Sequence, residues 1–233
     1  PLLNHRARCQ QTDRSHAAAQ DVRRVWLHVD AAWGGSCMFS AKYRKLMDGV
    51  ELADSVCWDS HKMMGLPLVC SAFLIKQPEL LRKICSHGNV AHYLFLGDAE
   101  DIDLGRISLQ CGRRNDALKL FLAWREKGDA GWARLVENYI ELADYLQSKV
   151  EAHTNLEMMS TRVWSNVCIR YTADGIDHND VNKTLRERLV KTGNFMISQS
   201  NIGEHIILRP VISNPSVSKE TIDDLVKEIA DIG

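Results

Sequence analysis

The sequence predicts an α/β fold that is followed by a smaller α+β unit. Two short apolar runs, residues 25–29 and 55–58, each lead into turn-prone residues, and this pattern is typical of buried strands. Asp30 directly follows the first run, and Lys62 follows the second run four residues later. Ligands of open α/β sheets bind at the carboxyl ends of the strands. The two side chains are therefore predicted to share one ligand-binding edge.

Shorter elements are predicted after these two strands. Residues 36–54 predict a short helix that begins at Ser40, with four apolar side chains in the core. These four are Met38, Phe39, Leu46 and Met47. Residues 68–75 are apolar throughout and predict another buried strand, which is antiparallel to its neighbour or at an edge of the sheet. Residues 78–85 predict an amphipathic helix.

The middle of the chain predicts a loop and two helices. Residues 86–105 show little hydrophobic periodicity and predict the loop. The first helix begins within residues 108–125 and ends at Gly128, because glycine commonly ends a helix. The second covers residues 132–152, and its Trp and Tyr side chains are interpreted as core rather than as an aromatic box around a cofactor.

The pattern changes to α+β from about Thr154 onward. Runs rich in β-branched and aromatic residues predict strands. These strands cover residues 156–159, 163–171, 195–199 and 205–211. Helices are predicted over residues 177–192 and 218–232, and Ser218 is the expected N-cap of the last one. Together these elements predict a compact C-terminal unit.

Composition argues against several classes of protein. The 233 residues carry 29 basic and 30 acidic side chains, for a net charge of −1, so neither a nucleic-acid partner nor a membrane surface is expected. No apolar run reaches the ~20 residues of a membrane span, and the polar N-terminus predicts no secretory signal. Seven scattered cysteines predict reduced thiols in a cytoplasmic protein, and no His/Cys spacing predicts a metal site.

An acid and a lysine at one sheet edge suit the chemistry of pyridoxal phosphate. This cofactor needs a lysine that holds it as a Schiff base and a carboxylate against its pyridine nitrogen. Asp30 would stay ionised beside that cationic ring, and Lys62 must lose a proton to react. Taken alone, an aspartate at a strand end is more often a cap, and a lysine is more often a solvated surface residue.

Four ordered motifs resemble the group II pyridoxal-phosphate-dependent amino-acid decarboxylases, and within that group the glutamate and cysteine-sulfinate decarboxylases. The motifs are His-Val-Asp-Ala-Ala-Trp-Gly-Gly at 28–35, Ser-Val-Cys-Trp-Asp-Ser-His-Lys at 55–62, Leu-Gln-Cys-Gly-Arg-Arg at 109–114 and Leu-Arg-Pro-Val-Ile-Ser-Asn-Pro at 208–215. Any one of them is a weak signal. Four in order at plausible spacing are specific.

The resemblance implies the C-terminal part of the large domain of a type I pyridoxal-phosphate-dependent transferase, followed by a small C-terminal α+β domain. Residues 25–152 would form the partial cofactor-binding large domain, and residues 153–233 would form the small domain. Residues 1–24 do not resemble the family and predict a polar helix or a disordered leader. The family's phosphate-binding loop and ring-stacking histidine are not recognisable, so the chain is expected to be the C-terminal half only.

The resemblance also assigns roles to five residues. Lys62 would hold pyridoxal 5'-phosphate covalently, and Asp30 would contact its pyridine nitrogen, so that both take part in catalysis. His61 would hydrogen-bond the phosphate or another part of the cofactor, and Ala32 would let the ring pack against the backbone. Arg209 would bind a carboxylate of an acidic substrate, and the alternative for it is a surface arginine at a strand end.

The activity implied is decarboxylation of an acidic L-amino acid (glutamate, cysteine sulfinate or aspartate) by a homodimer. The family's loop tyrosine, which supplies a proton, has no counterpart at residues 99–103, and Tyr93 lies upstream. Residues 110–113 would lie near the cofactor phosphate or the dimer contact, or simply cap a helix. The alternative function is an inactive fragment, or a partner-dependent homologue whose cofactor site is incomplete. A phosphate-binding module of another kind is disfavoured, because the sequence contains no Gly-x-x-x-x-Gly-Lys-Ser/Thr motif.

Overall fold

The computed structural model describes residues 25–85, 104–110 and 112–233. Their strands are β1 (His28–Asp30), β2 (Ser55–Asp59), β3 (Ser71–Ile75), β4 (Leu156–Met158), β5 (Ile169–Tyr171), β6 (Ser198–Ile202) and β7 (His205–Arg209). Their α-helices are α1 (Pro78–Cys85), α2 (Asp116–Glu151), α3 (His178–Thr192) and α4 (Lys219–Ile232). Shorter 3-10 helices cover Gly34–Phe39, Arg44–Met47, Val50–Leu52 and Leu104–Ile107. The mixed α/β architecture is the one that the sequence predicts.

The first sheet has the order β1-β2-β3, with β2 parallel to β1 and antiparallel to β3. β3 is therefore antiparallel and at an edge, as predicted. The prediction that these strands are buried is wrong for the outer two. β1 is largely exposed, and Phe73 and Leu74 of β3 are 50% and 60% exposed. An apolar run predicts a strand, but β1 and β3 have a hydrogen-bonded neighbour on one side only among the described residues.

The predicted helix from Ser40 is also wrong. Three short 3-10 turns occupy this stretch, and Ser40 ends the first of them instead of beginning a helix. Its hydroxyl donates to Glu137 of α2 and accepts the N–H of Lys42, so it ties the turn to a distant helix. The four apolar side chains divide accordingly. Phe39 and Met47 pack against the core, whereas Met38 and Leu46 are exposed.

Helix α2 contains both helices that were predicted for the middle of the chain. It begins at Asp116, within the predicted range 108–125, and Ser108 accepts the N–H of Gln110 in a local turn that precedes it. Gly128 has φ 62° and ψ 176°, so it breaks the helix where the sequence predicts an end. The aromatic side chains after this kink belong to the core, since Trp132 and Tyr139 are completely buried.

The second sheet has the order β4-β5-β7-β6 and is antiparallel throughout. Two predicted strands were placed or sized wrongly. The run 163–171 is a strand only from Ile169, and the strand expected at 195–199 begins at Ser198. The β6–β7 hairpin causes this second shift, because Gly203, at φ 59°, lies in a two-residue turn that pairs Ile202 with His205.

The helices of this unit match their predicted bounds closely because their caps are local. Asp177 accepts two backbone N–H groups at the start of α3, and Ser218 forms a capping box with Thr221 at the start of α4.

One hydrophobic core contains α2, α3, α4 and parts of both sheets. The domain boundary at residues 152/153 stays a prediction. Among the described residues, no helix is long and apolar enough to cross a membrane.

Candidate active site

The exits of β1 and β2 lie side by side at one edge of the first sheet. Parallel pairing places Asp30, the last residue of β1, opposite Cys57 of β2. The backbone continues this pairing beyond the strands, because Ala31 donates its N–H to the Cys57 carbonyl at 3.0 Å and Asp59 donates to the Ala32 carbonyl at 3.3 Å. The residues that follow β1 and β2 therefore lie at the same edge of the first sheet.

Asp30 is an exposed carboxylate with two hydrogen-bond donors on one oxygen. Its Oδ1 accepts the backbone N–H of Ala32 at 3.1 Å and the thiol of Cys57 at 3.3 Å. The hydrogen bond from Ala32 and then the one from Cys57 hold the pKa of Asp30 below its ordinary value; burial opposes them, and the charges of Lys62 and His28 add weaker lowering effects. Asp30 is therefore ionised at neutral pH.

Lys62 lies in the turn that follows β2, where its backbone N–H donates to the Asp59 carbonyl. Its Nζ pairs with Oδ2 of Asp59 at 2.8 Å, and its side chain is 41% exposed. Although burial opposes the effect, hydrogen bonds from Lys62 and Ser71 keep the pKa of Asp59 below its ordinary value. Lys62 is thus paired with the ionised carboxylate of Asp59, and its charge also acts on the carboxylate of Asp30.

His61 is anchored next to Lys62 by the backbone that leads into β3. The backbone N–H of His61 donates to the Cys70 carbonyl. The ring nitrogen Nδ1 lies 3.0 Å from that carbonyl oxygen and 3.2 Å from the backbone nitrogen of Cys70. The Nδ1 edge of the ring is therefore committed to Cys70, and Nε2 is the nitrogen that remains for a ligand. Ala32, on the neighbouring exit, is a partly buried residue whose N–H is taken by Asp30.

The two residues that follow Lys62 are buried in the core. Met63 and Met64 are 0% and 2% exposed. Lys119 of α2 clamps the chain further on, since its Nζ donates to the carbonyls of Pro67 at 3.0 Å and Val69 at 2.9 Å. The amine of Lys62 is therefore at the surface, whereas the residues that follow it are held in the core.

Arg209 comes from the other sheet. It is the last residue of β7, where it pairs with Ser198, and its Nε is buried without a hydrogen-bond partner among the described residues. The segment that follows Arg209 approaches the lysine turn, because a Cβ placed on Gly65 would lie 3.6 Å from Cδ of Pro215. Arg113, in contrast, is exposed and donates to the Gln110 carbonyl, which agrees with a solvated arginine, but the N-cap of α2 is Asn115 and lies outside residues 110–113.

Tyr93 and residues 99–103 lie outside the described residues. Within residues 25–85, 104–110 and 112–233, no group of three or more His, Cys, Asp or Glu side chains could hold a metal ion.

Comparison with known families shows the family to which the chain belongs. The family model described as the pyridoxal-dependent decarboxylase conserved domain matches residues 11–172. The chain belongs to the pyridoxal-dependent decarboxylase family. The match begins at residue 11, so the prediction that the leader 1–24 is wholly unrelated is wrong for its second half. That half is polar and lacks a hydrophobic period, which is why no motif was visible in it.

Curated relatives of this decarboxylase-family chain act on acidic amino acids by name. Cysteine sulfinic acid decarboxylase of Homo sapiens is 37% identical over 224 residues, which cover 90% of this chain and 45% of the relative. Acidic amino acid decarboxylase GADL1 of Bos taurus is 35% identical, with 90% and 43% covered. The chain thus spans slightly less than half the length of these relatives, as expected for a partial match.

Solved structures confirm the fold. The crystal structure of mouse CSAD in apo form matches with a TM-score of 0.80 at 33% identity, over 90% of this chain and 46% of that one. Oryza sativa TDC with PLP and tryptamine matches with a TM-score of 0.81 at 25% identity, over 89% and 44%. The expected architecture of a pyridoxal-phosphate-dependent decarboxylase is therefore confirmed.

Two residues at this family site were missed by reasoning from the sequence. Asp59 could have been found, because it lies three residues before Lys62 in a turn, a spacing at which side chains meet. Cys57 could not be singled out, since its contact with Asp30 depends on the register of two strands 27 residues apart in sequence. The pattern assigned it to the core as a small apolar side chain.

Proposed function

We propose that this chain carries the lysine and the ring-binding half of a pyridoxal-phosphate-dependent decarboxylase for acidic L-amino acids. The substrates in view are glutamate, cysteine sulfinate and aspartate. The observation that carries the proposal is the placement of an ionised Asp30 and of Lys62 at adjacent strand exits, where the charge of Lys62 helps to lower the pKa of Asp30. The names of the curated relatives support the acidic substrate class.

The residues present fit pyridoxal phosphate. A carboxylate whose pKa is lowered, as that of Asp30 is, suits a protonated pyridine nitrogen, and a lysine with 41% of its side chain exposed can reach an aldehyde. When bound, the cofactor supplies a sink for the electron pair that remains after carbon dioxide leaves. The absence of a bulky side chain at Ala32 leaves room for a planar ring.

Each residue has a distinct role in this proposal. Lys62 would hold the cofactor covalently, and Asp30 would keep the proton on the ring nitrogen so that negative charge is stabilised. His61 would hydrogen-bond the phosphate or another polar group of the cofactor through Nε2. Asp59 would hold the amine of Lys62 in place until the cofactor arrives.

Arg209 would bind the distal acidic group of the substrate. A buried guanidinium N–H without an acceptor is unfavourable, and a carboxylate or sulfinate would supply that acceptor. The fork of donors also favours an acidic group over a neutral one. We further propose that the full protein is a cytoplasmic homodimer, which agrees with the free thiols of its described cysteines.

The cofactor assignment is tested with the 233-residue chain itself. The chain is incubated with pyridoxal phosphate, dialysed and reduced with borohydride, and the labelled peptide is then identified. We expect a retained absorbance band and a label on Lys62. The Lys62→Ala variant should lose both, whereas Lys45→Ala, an exposed lysine in the Arg44–Met47 turn, should keep both. A label that persists in Lys62→Ala would refute the assignment.

The substrate assignment is tested by Arg209→Lys, which keeps the charge and removes the planar fork. Loss of one charge-assisted hydrogen bond should raise KM for glutamate or cysteine sulfinate by roughly tenfold or more. The release of carbon dioxide measures the rate, and a neutral amino acid such as leucine is the comparison substrate. An unchanged KM for all acidic substrates would exclude Arg209 from the substrate site.

A second candidate is a chain that completes its cofactor site only with a partner polypeptide. The exposed apolar side chains Phe73 and Leu74 on β3 favour it, because an edge strand with such a face is suited to association. Cofactor retention measured across protein concentrations separates the two candidates. Retention that appears only when a full-length relative is added supports the second, and retention by the chain alone, as a monomer or as a homodimer by sedimentation, supports the first.

A further inference from the structure

We propose that Cys57 is a positioning residue for Asp30, because its thiol and the Ala32 N–H together hold Oδ1 and leave Oδ2 to face the ring nitrogen of the cofactor. The inference deepens the proposed function and rests on it for the identity of the ligand. The hydrogen bonding of the carboxylate itself is a property of the chain alone. It can therefore be tested with no cofactor present.

The geometry of this arrangement is set by the backbone. Cys57 and Asp30 are directly paired in the parallel ladder of β1 and β2, so their side chains leave the sheet on the same face. Ala31 donates to the Cys57 carbonyl, which holds the chain just beyond Asp30 in the same register. Sγ consequently lies 3.3 Å from Oδ1, and the Ala32 nitrogen lies 3.1 Å from the same oxygen.

The charges around the pair keep the thiol in its donor form. Burial, followed by the hydrogen bond to Asp30 and by its negative charge, raises the pKa of Cys57, and Asp59 adds a small effect of the same sign. The thiol therefore stays protonated at neutral pH and donates to the carboxylate. On the other side, Lys62 and His28 are the cationic or titratable groups whose charges favour ionised Asp30.

The same geometry separates two possible roles for the cysteine. A purely structural Cys57 would fill space between the strands, and any small side chain would then serve equally well. A positioning Cys57 must donate a hydrogen bond. Serine keeps a donor in nearly the same place, whereas alanine removes it, so Cys57→Ser and Cys57→Ala form a matched pair.

The first experiment follows the carboxyl carbon of Asp30 by NMR during a pH titration of the cofactor-free chain. Cys57→Ala should raise the apparent pKa of Asp30, because it removes a donor that favours the charged form. Cys57→Ser should stay close to the original chain, and so should Cys168→Ala, which removes a buried thiol elsewhere. An Asp30 titration that is identical in Cys57→Ala and the original chain would overturn the proposal.

A second measurement covers the case in which Cys57→Ala does not fold. The S–H stretching band of Cys57, identified by its absence in Cys57→Ser, should move when Asp30 is protonated, because a neutral carboxyl is a weaker acceptor. An S–H band whose frequency stays constant while Asp30 is titrated would also overturn the proposal. With the cofactor, Cys57→Ala should weaken the retention of pyridoxal phosphate roughly fivefold, and Cys57→Ser should retain it normally.

The outcomes distinguish this inference from the proposed function. Coupling between Cys57 and Asp30 in a chain that binds no pyridoxal phosphate, alone or with a full-length relative, would refute the cofactor role of both residues and leave the proposed function without its main support. A chain that labels at Lys62 but shows no coupling would keep the proposed function and refute the positioning role of Cys57.

Discussion

Asn182 offers the sharpest test of the fold that carries the site. This residue of α3 is completely buried, and its side chain pairs with both backbone groups of Tyr171 in β5. Oδ1 accepts the Tyr171 N–H at 2.9 Å, and Nδ2 donates to the Tyr171 carbonyl at 2.8 Å and to the His178 carbonyl at 2.7 Å. The side-chain amide of Asn182 thus makes the hydrogen bonds to Tyr171 that a neighbouring strand would otherwise make.

Replacing Asn182 with alanine should leave the N–H and carbonyl of Tyr171 buried and unpaired. Each such group costs about 1–3 kcal/mol, so we expect a loss of about 3 kcal/mol or more in the free energy of unfolding. For a chain of this size that corresponds to a decrease in Tm of roughly 6–12 °C. Urea denaturation, followed by far-UV circular dichroism and tryptophan fluorescence, measures the loss.

Two comparison variants make the reasoning refutable. Asn182→Asp keeps the volume but turns an oxygen toward two carbonyls, so it should lose at least as much stability as Asn182→Ala. Lys183→Ala, an exposed neighbour on the same helix, should change the free energy of unfolding by less than about 0.5 kcal/mol. If Asn182→Ala lowers the free energy of unfolding no more than Lys183→Ala does, or if Asn182→Asp is as stable as the original chain, the hydrogen bonds to Tyr171 do not contribute the stability that we assign to them.

Three further predictions concern the lysine turn and a helix cap. Met63→Ala should lower the free energy of unfolding by about 2–5 kcal/mol in urea titrations, and Met63→Leu by less than about 1.5 kcal/mol, because only the first leaves a cavity. Gly65 has φ 69° with room for a Cβ, so Gly65→Ala should lose about 1–2 kcal/mol through backbone strain alone, and Gly65→Asn should lose less in the same assay. Hydrogen bonds from the N–H groups of Asp180 and Asn179 lower the pKa of Asp177. Its stabilisation is therefore complete above the unfolded-state pKa and lost as pH falls through the folded-state value, and acid unfolding curves of Asp177→Asn should lack this component.

The elements that the sequence predicts well are those whose signals are local. Residues 78–85 and 218–232 match their helices almost residue for residue, because periodicity, a capping serine and flanking turn residues all lie within the segment. Elements that depend on distant pairing were misplaced. The strand expected at 195–199 is set by the hairpin turn at Gly203, and Ser40 is held by Glu137, which lies 97 residues away.

In the candidate site, too, local features could be predicted and contacts between distant residues could not. Asp30 and Lys62 could be placed at one sheet edge because each follows an apolar run by no more than four residues. The contacts that tune them could not be predicted, because the thiol of Cys57 reaches Asp30 only through the parallel register of β1 and β2. Burial was the weakest prediction for the same reason. Phe73 is apolar and belongs to a strand, but its exposure depends on which elements cover that face of the sheet.

The turn that carries Lys62 connects two motifs that are far apart in the sequence. Lys62 is exposed, yet the next residue, Met63, is buried in a core that also contains residues of α2 and of the second sheet. Gly65 packs beside Pro215, so the lysine turn meets the segment that follows Arg209. Because close-packed interiors transmit displacement, a change in that segment should alter the position of Lys62 without touching it. The motifs at 55–62 and 208–215 are therefore two sides of one packed unit.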